Sequence, residues 1–217
     1  RFLAKTFALA RQDEYEADRI AGKLLGREVT AAALAEIEIR GAWLQAEFWG
    51  RHWCVAAGNP LPVGPYRSMR RYLAEAPDAT FANDALLQAL KRLSSVDDTH
   101  PGLRDRIEAL DATPTLPAWS RGSALALLGG GARQWVKYFD KQWCSNNATE
   151  WKQHHAWLER VRARAEVLGT SMPQNSAAEL VELARLKRHL DPHADVRALY
   201  EHALERSPDY PPALCGL

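Results

Sequence analysis

Four carboxylates fall within six positions of the stretch ARQDEYEADR, Ala10 to Arg19: Asp13, Glu14, Glu16 and Asp18. Residues four apart on a helix lie roughly 6 Å from each other on one face. Glu14 and Asp18 therefore point together, beside Ala17 and Ala21, whose small side chains would let a second helix approach. Two like charges at this spacing slightly weaken an exposed helix. They make better sense with a cation or an imidazole between them and another helix. From the residues alone two readings stay open, a solvated acidic face and a role at a metal. Glu16 lies off the Glu14–Asp18 face, and both it and Asp13 read as solvent-facing.

The other residues with ligand chemistry are scattered. None of the seven histidines (His52, His100, His154, His155, His189, His193, His202) opens an HExxH pattern. His154 and His155 are neighbours on a helix and face differently. His189 and His193 straddle Pro192, a helix breaker, and read as surface. Cys54, Cys144 and Cys215 are odd in number and lack CxxC spacing, which implies a reducing compartment or buried thiols and no thiolate zinc site. The sequon Asn147-Ala148-Thr149 is a triplet that chance often produces.

Apolar residues make up 47% of the 217 and charged ones 25%, the mix of a soluble globular protein. The formal charge is +1, which argues against a dedicated nucleic-acid binder. The arginines of RVRARAEV, Arg160 to Val167, read as a solvated helix face. No window of 18 apolar residues offers a membrane span. The chain opens in mid-pattern with RFLAKTFALA and closes on PPALCGL, so the expectation is an excised piece of a longer protein.

Periodicity is helical almost throughout and predicts an all-α fold. The first helix is expected over 3–25, with Leu3, Phe7, Ala10, Glu14, Ala17, Asp18, Ala21 and Leu25 near one stripe and Gly26 as its stop. Thr30 reads as the N-cap of a long second helix running to Ala57. The prolines and glycines of GNPLPVGPY make a loop, followed by helices over 67–75 and 80–93 and another starting near Pro101. Residues 111–117 read as a boundary, and SALALLGGG as a short helix and a break. Helices over 132–144 and 149–168 carry Trp135, Trp143, Trp151 and Trp157 at core spacing.

The segment from Ala177 to Leu217 reads as two short helices and the first turn of a third. Leu180, Leu183, Ala184, Tyr200, Ala203 and Pro208 fit a tetratricopeptide pattern, and Leu214 and Leu217 repeat its leucines one period of about 34 residues later. A single repeat cannot bury both faces, so it should stack on the preceding helices and on further repeats.

RQDEYEADRIAGKLLG resembles the downstream signature of the zinc metallopeptidases that include the HtpX heat-shock protease and the CAAX prenyl protease, in which an E-x-x-A-D helix supplies the third zinc ligand. DDTHPGLRDRIEAL is similar to that family's T-H-P-x-x-x-x-R-I-x-x-L element. The helix through GAWLQAEFW looks like a segment of its large membrane-associated members, and fusion to tetratricopeptide-like repeats also occurs there. The resemblance implies the C-terminal helical part of a gluzincin-like peptidase over 1–112, a connecting region over 113–175 and a truncated repeat over 176–217.

By the same resemblance Glu14 is the metal ligand, through one oxygen, and Asp18 the acid that hydrogen-bonds a zinc-bound imidazole. His100 and Arg106 match the histidine and arginine that lie beside the metal. Arg106 is expected to hold a carboxylate or the developing oxyanion, and His100 to donate to that oxyanion or to occlude the open zinc position. The family's mechanism also needs the HExxH helix, whose histidines bind Zn2+ and whose glutamate is the general base. The expectation is thus an inactive, metal-free chain whose full-length parent is a zinc endopeptidase acting on proteins or peptides. Its partners would be the HExxH-bearing part of the same protein and a membrane that anchors the parent, this part being soluble and cytoplasmic, with no nucleic acid. The competing reading is a non-catalytic helical-repeat interaction module with a degenerate peptidase signature.

Overall fold

Gly26, with φ at +100°, ends the first helix, because the chain turns there through a backbone region that side-chain-bearing residues avoid. In the computed structural model, residues 2–95, 98, 100–119 and 122–217 are described, with side chains from residue 8 onward. The side chains of Leu3 and Phe7, and all of Thr99, lie outside the described residues. The helices are α1 (Phe2–Leu25), α2 (Arg27–Trp43), α3 (Trp49–Cys54), α4 (Tyr66–Tyr72), α5 (Ala79–Lys91), α6 (Leu103–Ala109), α7 (Ala132–Asn146), α8 (Ala148–Thr170), α9 (Ala177–Leu190), α10 (Arg197–Arg206) and the short α11 (Pro211–Leu214). The fold is all-α, with no strand among the described residues.

Several boundaries differ from expectation, each for a local reason. Thr30 is not an N-cap: α2 already begins at Arg27, and the Thr30 hydroxyl donates to the Gly26 carbonyl at 3.0 Å from inside the helix. The long second helix does run helically to Gly58, but through a π-helical turn at Leu44–Phe48, α3 and a 3-10 turn at Val55–Gly58. The helix expected near Pro101 starts at Leu103, because Gly102 is extended, with ψ at 156°, and serves as the N-cap, its N–H donating to the Ser94 hydroxyl at 2.7 Å. At α5 the Asp78 carboxylate caps the N–H groups of Thr80 and Phe81 at 2.9 and 3.2 Å.

The chain forms two compact units, one of Arg1–Ala46 with Arg70–Leu127 and one of Glu47–Met69 with Leu128–Leu217. In the first, α2, α5 and α6 bury Leu34, Ile39, Leu86, Leu103, Ile107 and Leu110, and α1 lies along α2 and α6. The close approach of α1 is made at Gly22, where an added Cβ would come within 3.0 Å of the Leu110 side chain. Ala17 is exposed, so it does not serve that purpose.

The second unit has two clusters. In one, Trp151 and Leu158 are fully buried with Ala56 against Trp53, Trp143 and Trp157, and the Trp151 indole N–H donates to the Asn59 carbonyl at 2.8 Å. Trp135 does not join this seam; it is half exposed. In the other, α9 and α10 form a helical hairpin whose Leu180, Leu183, Ala184, Tyr200 and Ala203 pack with Leu168 of α8. Ser176 and Glu179 make a reciprocal capping box at the start of α9.

His52 is buried in the tryptophan cluster, 5.0 Å from the Trp143 ring and 5.6 Å from that of Trp151, with its Nε2 unpaired among the described residues. Burial pushes the imidazole below its ordinary 6.5, against weaker pulls from a hydrogen bond with the Val63 backbone and from Asp140. His154, edge-on to Trp53, is pushed down by burial as well. The unfolded chain then takes up protons at pH values where the folded chain does not. Stability is therefore full above the unfolded value of 6.5 and declines as pH falls below it towards the lowered folded-state values. Denaturant unfolding compared at about pH 7.5 and about pH 5.5 should show lower stability at the lower pH, a difference partly abolished by His52→Phe.

Candidate functional site

The buried face of α1 is polar. Arg11, Glu14, Tyr15, Asp18 and Gly22 follow one another at helical spacing, and Asp18 is only 5% exposed. A carboxylate at such depth needs a partner, and α6 supplies it. The Arg106 guanidinium forks onto Asp18, with Nε to Oδ2 and Nη2 to Oδ1 both at 2.7 Å. The same Nη2 lies 3.0 Å from Glu14 Oε2. His100, in the turn before α6, sets Nδ1 2.9 Å from Glu14 Oε1. One arginine thus ties two acids of a neighbouring helix, and both oxygens of Glu14 have a nitrogen partner.

The guanidinium is held more firmly protonated than usual, chiefly by its hydrogen bonds to Asp18, with the charges of Asp18 and Glu14 adding to them. A planar fork matched to a carboxylate is geometry that lysine cannot reproduce. The loop carrying His100 is fixed from α1 as well: Arg11 Nη1 donates to the Asp98 carbonyl at 2.7 Å. Inside the loop, Ser94 accepts from the Gly102 N–H and donates to Asp105. Tyr15 stands beside these groups, and burial and the Asp105 charge push its hydroxyl up.

Glu14, Asp18, His100 and Arg106 therefore meet in one place. Arg106 sits on carboxylates. Asp13 and Glu16 are exposed, and Glu16 pairs with Arg19 on its own helix. Arg11, Tyr15 and Ser94 were missed. Arg11 and Tyr15 do share the helical face of Glu14 and Asp18, a signal present in the sequence, whereas Ser94 gives none.

The remaining histidines stand elsewhere. His193 lies against Arg51 and Glu47, His189 edge-on to Trp157, and His155 faces the Ala56 carbonyl at 2.6 Å. Among the described residues no group of three or more His, Cys, Asp or Glu side chains could hold a metal ion. A catalytic zinc needs three protein ligands. The donors among the described residues do not by themselves fit that requirement, since Glu14 is a single carboxylate.

The site is thus two acids of one helix clamped by an arginine of another, with a histidine beside them, in an all-helical frame. The family model of peptidase family M48 matches residues 3–114, just over half of the 217, and the chain belongs to that family. Its members are zinc metallopeptidases. No curated protein and no solved structure matches the chain. No described helix is long and apolar enough to cross a membrane.

Proposed function

We propose that the chain is the segment of a zinc endopeptidase of the HtpX and CAAX prenyl protease type that follows the HExxH helix. In this reading Glu14 is the third zinc ligand, and Asp18 orients an imidazole of the HExxH helix. The supporting observation is the Arg106 fork, which sets Glu14 and Asp18 side by side on one face of α1 in a chain of family M48. Each Asp18 oxygen accepts one bond from Arg106 and keeps a lone pair for an imidazole N–H. Arg106 and Asp18 act as positioning residues. His100 holds Glu14 through Oε1 and would have to yield that oxygen to a metal.

Residues 1–112 are then the peptidase part, 113–175 a connecting region, and 176–217 a tetratricopeptide-like hairpin that engages protein substrates or partners. Membrane attachment would come from residues outside this sequence. The isolated chain would be inactive and free of zinc. A second reading, an interaction module with a degenerate signature, draws on one observation: both oxygens of Glu14 already have nitrogen partners.

The test is zinc content and endopeptidase activity of the full-length gene product with Glu14→Ala, beside the exposed Glu16→Ala as control. Loss of stoichiometric zinc and of activity in the first alone is the expected result. Full zinc occupancy and full activity in Glu14→Ala would overturn the assignment.

A further inference from the structure

The peptidase reading gives no role to His52, a buried titratable group of the second compact unit. The imidazole, on α3, is only 5% exposed. Phe48 stacks on it at 5.7 Å, and Trp49, Trp143 and Trp151 close round it at 5.9, 5.0 and 5.6 Å. Nε2 has no hydrogen-bond partner among the described residues. The bond with the Val63 backbone therefore falls to the other ring nitrogen. A neutral imidazole has one N–H and one lone pair, so it fits here with its proton on the Val63 side and the lone pair bare. A second proton, at Nε2, would find neither an acceptor nor water.

Val63 belongs to a stretch, residues 59–65, that lies against α7 and α8. Among the described residues, 60–64 make no backbone–backbone hydrogen bond. Side chains hold the stretch instead. The Trp151 indole N–H donates to the Asn59 carbonyl at 2.8 Å, and the Cys144 thiol to the Pro62 carbonyl at 3.4 Å. Just past its end, the Tyr66 N–H donates to Asp140 Oδ1 at 2.8 Å. With the His52 bond to Val63 there are four links, spread from one end to the other. Gly64 admits the Asp140 side chain, since an added Cβ there would come within 2.4 Å of it. Pro60, Pro62 and Pro65 fix φ at three positions, so the stretch can swing as one stiff piece.

The charge that acts on the buried ring is that of Asp140 on α7. It favours a proton there, but the same carboxylate already anchors Tyr66. Burial holds Cys144 on α7 and Cys54 on α3 as neutral thiols. Glu47 and Arg51 pair with each other at 3.1 Å. On α8, His155 meets the Ala56 carbonyl and His154 stands edge-on to Trp53. Lys137 and Lys141 of α7, and Glu150 and Lys152 of α8, are exposed. Residues 59–65 carry no titratable side chain.

Burying an unpartnered charge costs more than releasing a few side-chain hydrogen bonds. Folds relieve such conflicts by opening locally, below the cost of global unfolding. We infer that residues 59–65 are an acid-released strap whose trigger is the His52 imidazole. A proton on Nε2 frees the strap from α7 and α8, admits water to the ring and uncovers the indole of Trp151, while the helices of the unit stay folded. The device stands whether or not the zinc-peptidase reading holds.

Hydrogen exchange followed by NMR on the 217-residue chain tests it, with the Tyr66 amide and the Trp151 indole N–H as reporters. After correction for intrinsic rates, their protection should fall by up to about tenfold between about pH 7.5 and about pH 5.5. That is the factor expected when the opened imidazole titrates at its ordinary 6.5 and the closed one resists the proton. At both pH values the reporters should exchange more readily than the buried Leu183 amide of α9, with little dependence on denaturant. His52→Asn keeps an amide donor and cannot titrate, so it should remove the pH effect, and His52→Gln serves as a second uncharged replacement. His154→Asn should leave the effect in place. The inference is overturned by protection that does not change with pH, or by reporters that match Leu183 in level and in denaturant dependence. A pH effect that survives both His52 replacements, or that His154→Asn abolishes, overturns it as well.

Discussion

Arg106→Met should destabilise the unit that contains α1 and α6 by about 3 kcal/mol, the usual consequence of removing one partner from a buried ion pair. Methionine fills much the same space and leaves Asp18, 5% exposed, as a buried carboxylate without its fork. Glu14 loses a partner in the same step but keeps His100 and more contact with water. Arg106→Lys retains the charge and not the bidentate geometry, so it should recover only part of the loss. In a double-mutant cycle with Asp18→Asn, the coupling should be at least about 2 kcal/mol, because the doubly substituted chain has no unpaired charge to bury. Denaturant unfolding supplies the energies. Hydrogen exchange should place the loosened amides in α1 and α6. Near-zero coupling would mean that the two helices are held by the Gly22–Leu110 contact and the apolar core instead.

Trp151→Ala should cost the other unit about 4 kcal/mol. The indole is fully buried against Trp53 and Trp143, and its N–H satisfies the Asn59 carbonyl at 2.8 Å. Truncation opens a cavity and strands that carbonyl, two separate penalties. Trp151→Phe keeps most of the apolar volume and loses the hydrogen bond, and should cost about 1–2 kcal/mol. The difference between the two variants separates packing from hydrogen bonding. A loss below about 1 kcal/mol for Trp151→Ala would show that the cluster closes over the gap.

The sequence made the all-helical class, the first helix, its glycine stop and the shared face of Glu14 and Asp18 legible, because each rests on local spacing. Thr30 and Pro101 mark where local signals mislead. A threonine hydroxyl can bond a carbonyl one turn back inside a helix as readily as it caps one. α6 starts two residues after Pro101 because Gly102 is extended, with ψ at 156°, and caps the helix, and the Ser94 hydroxyl that accepts its N–H lies eight residues away in the chain. Periodicity identifies faces without saying which face is covered, so Trp135 read as core and stands half exposed. The inward face of α1 misled in the opposite sense. It is largely polar, and its partner Arg106 lies 88 residues from Asp18, a distance over which no repeat pattern reports. His100 and Arg106 were reached through family resemblance, and helical spacing alone pointed to neither.

The π-helical turn at Leu44–Phe48 carries the chain out of one compact unit and into the other. Residues 47–69, inside the stretch that matches family M48, belong to the unit that closes with residues 128–217. Trp53 and Ala56 find their packing partners in Trp151 and Leu158, well beyond residue 114. A recombinant fragment cut where the family match stops would expose a greasy, tryptophan-rich stump. The homology boundary and the folding boundary therefore do not coincide, and the downstream helices are fabric shared with the peptidase region, not cargo fastened to its end.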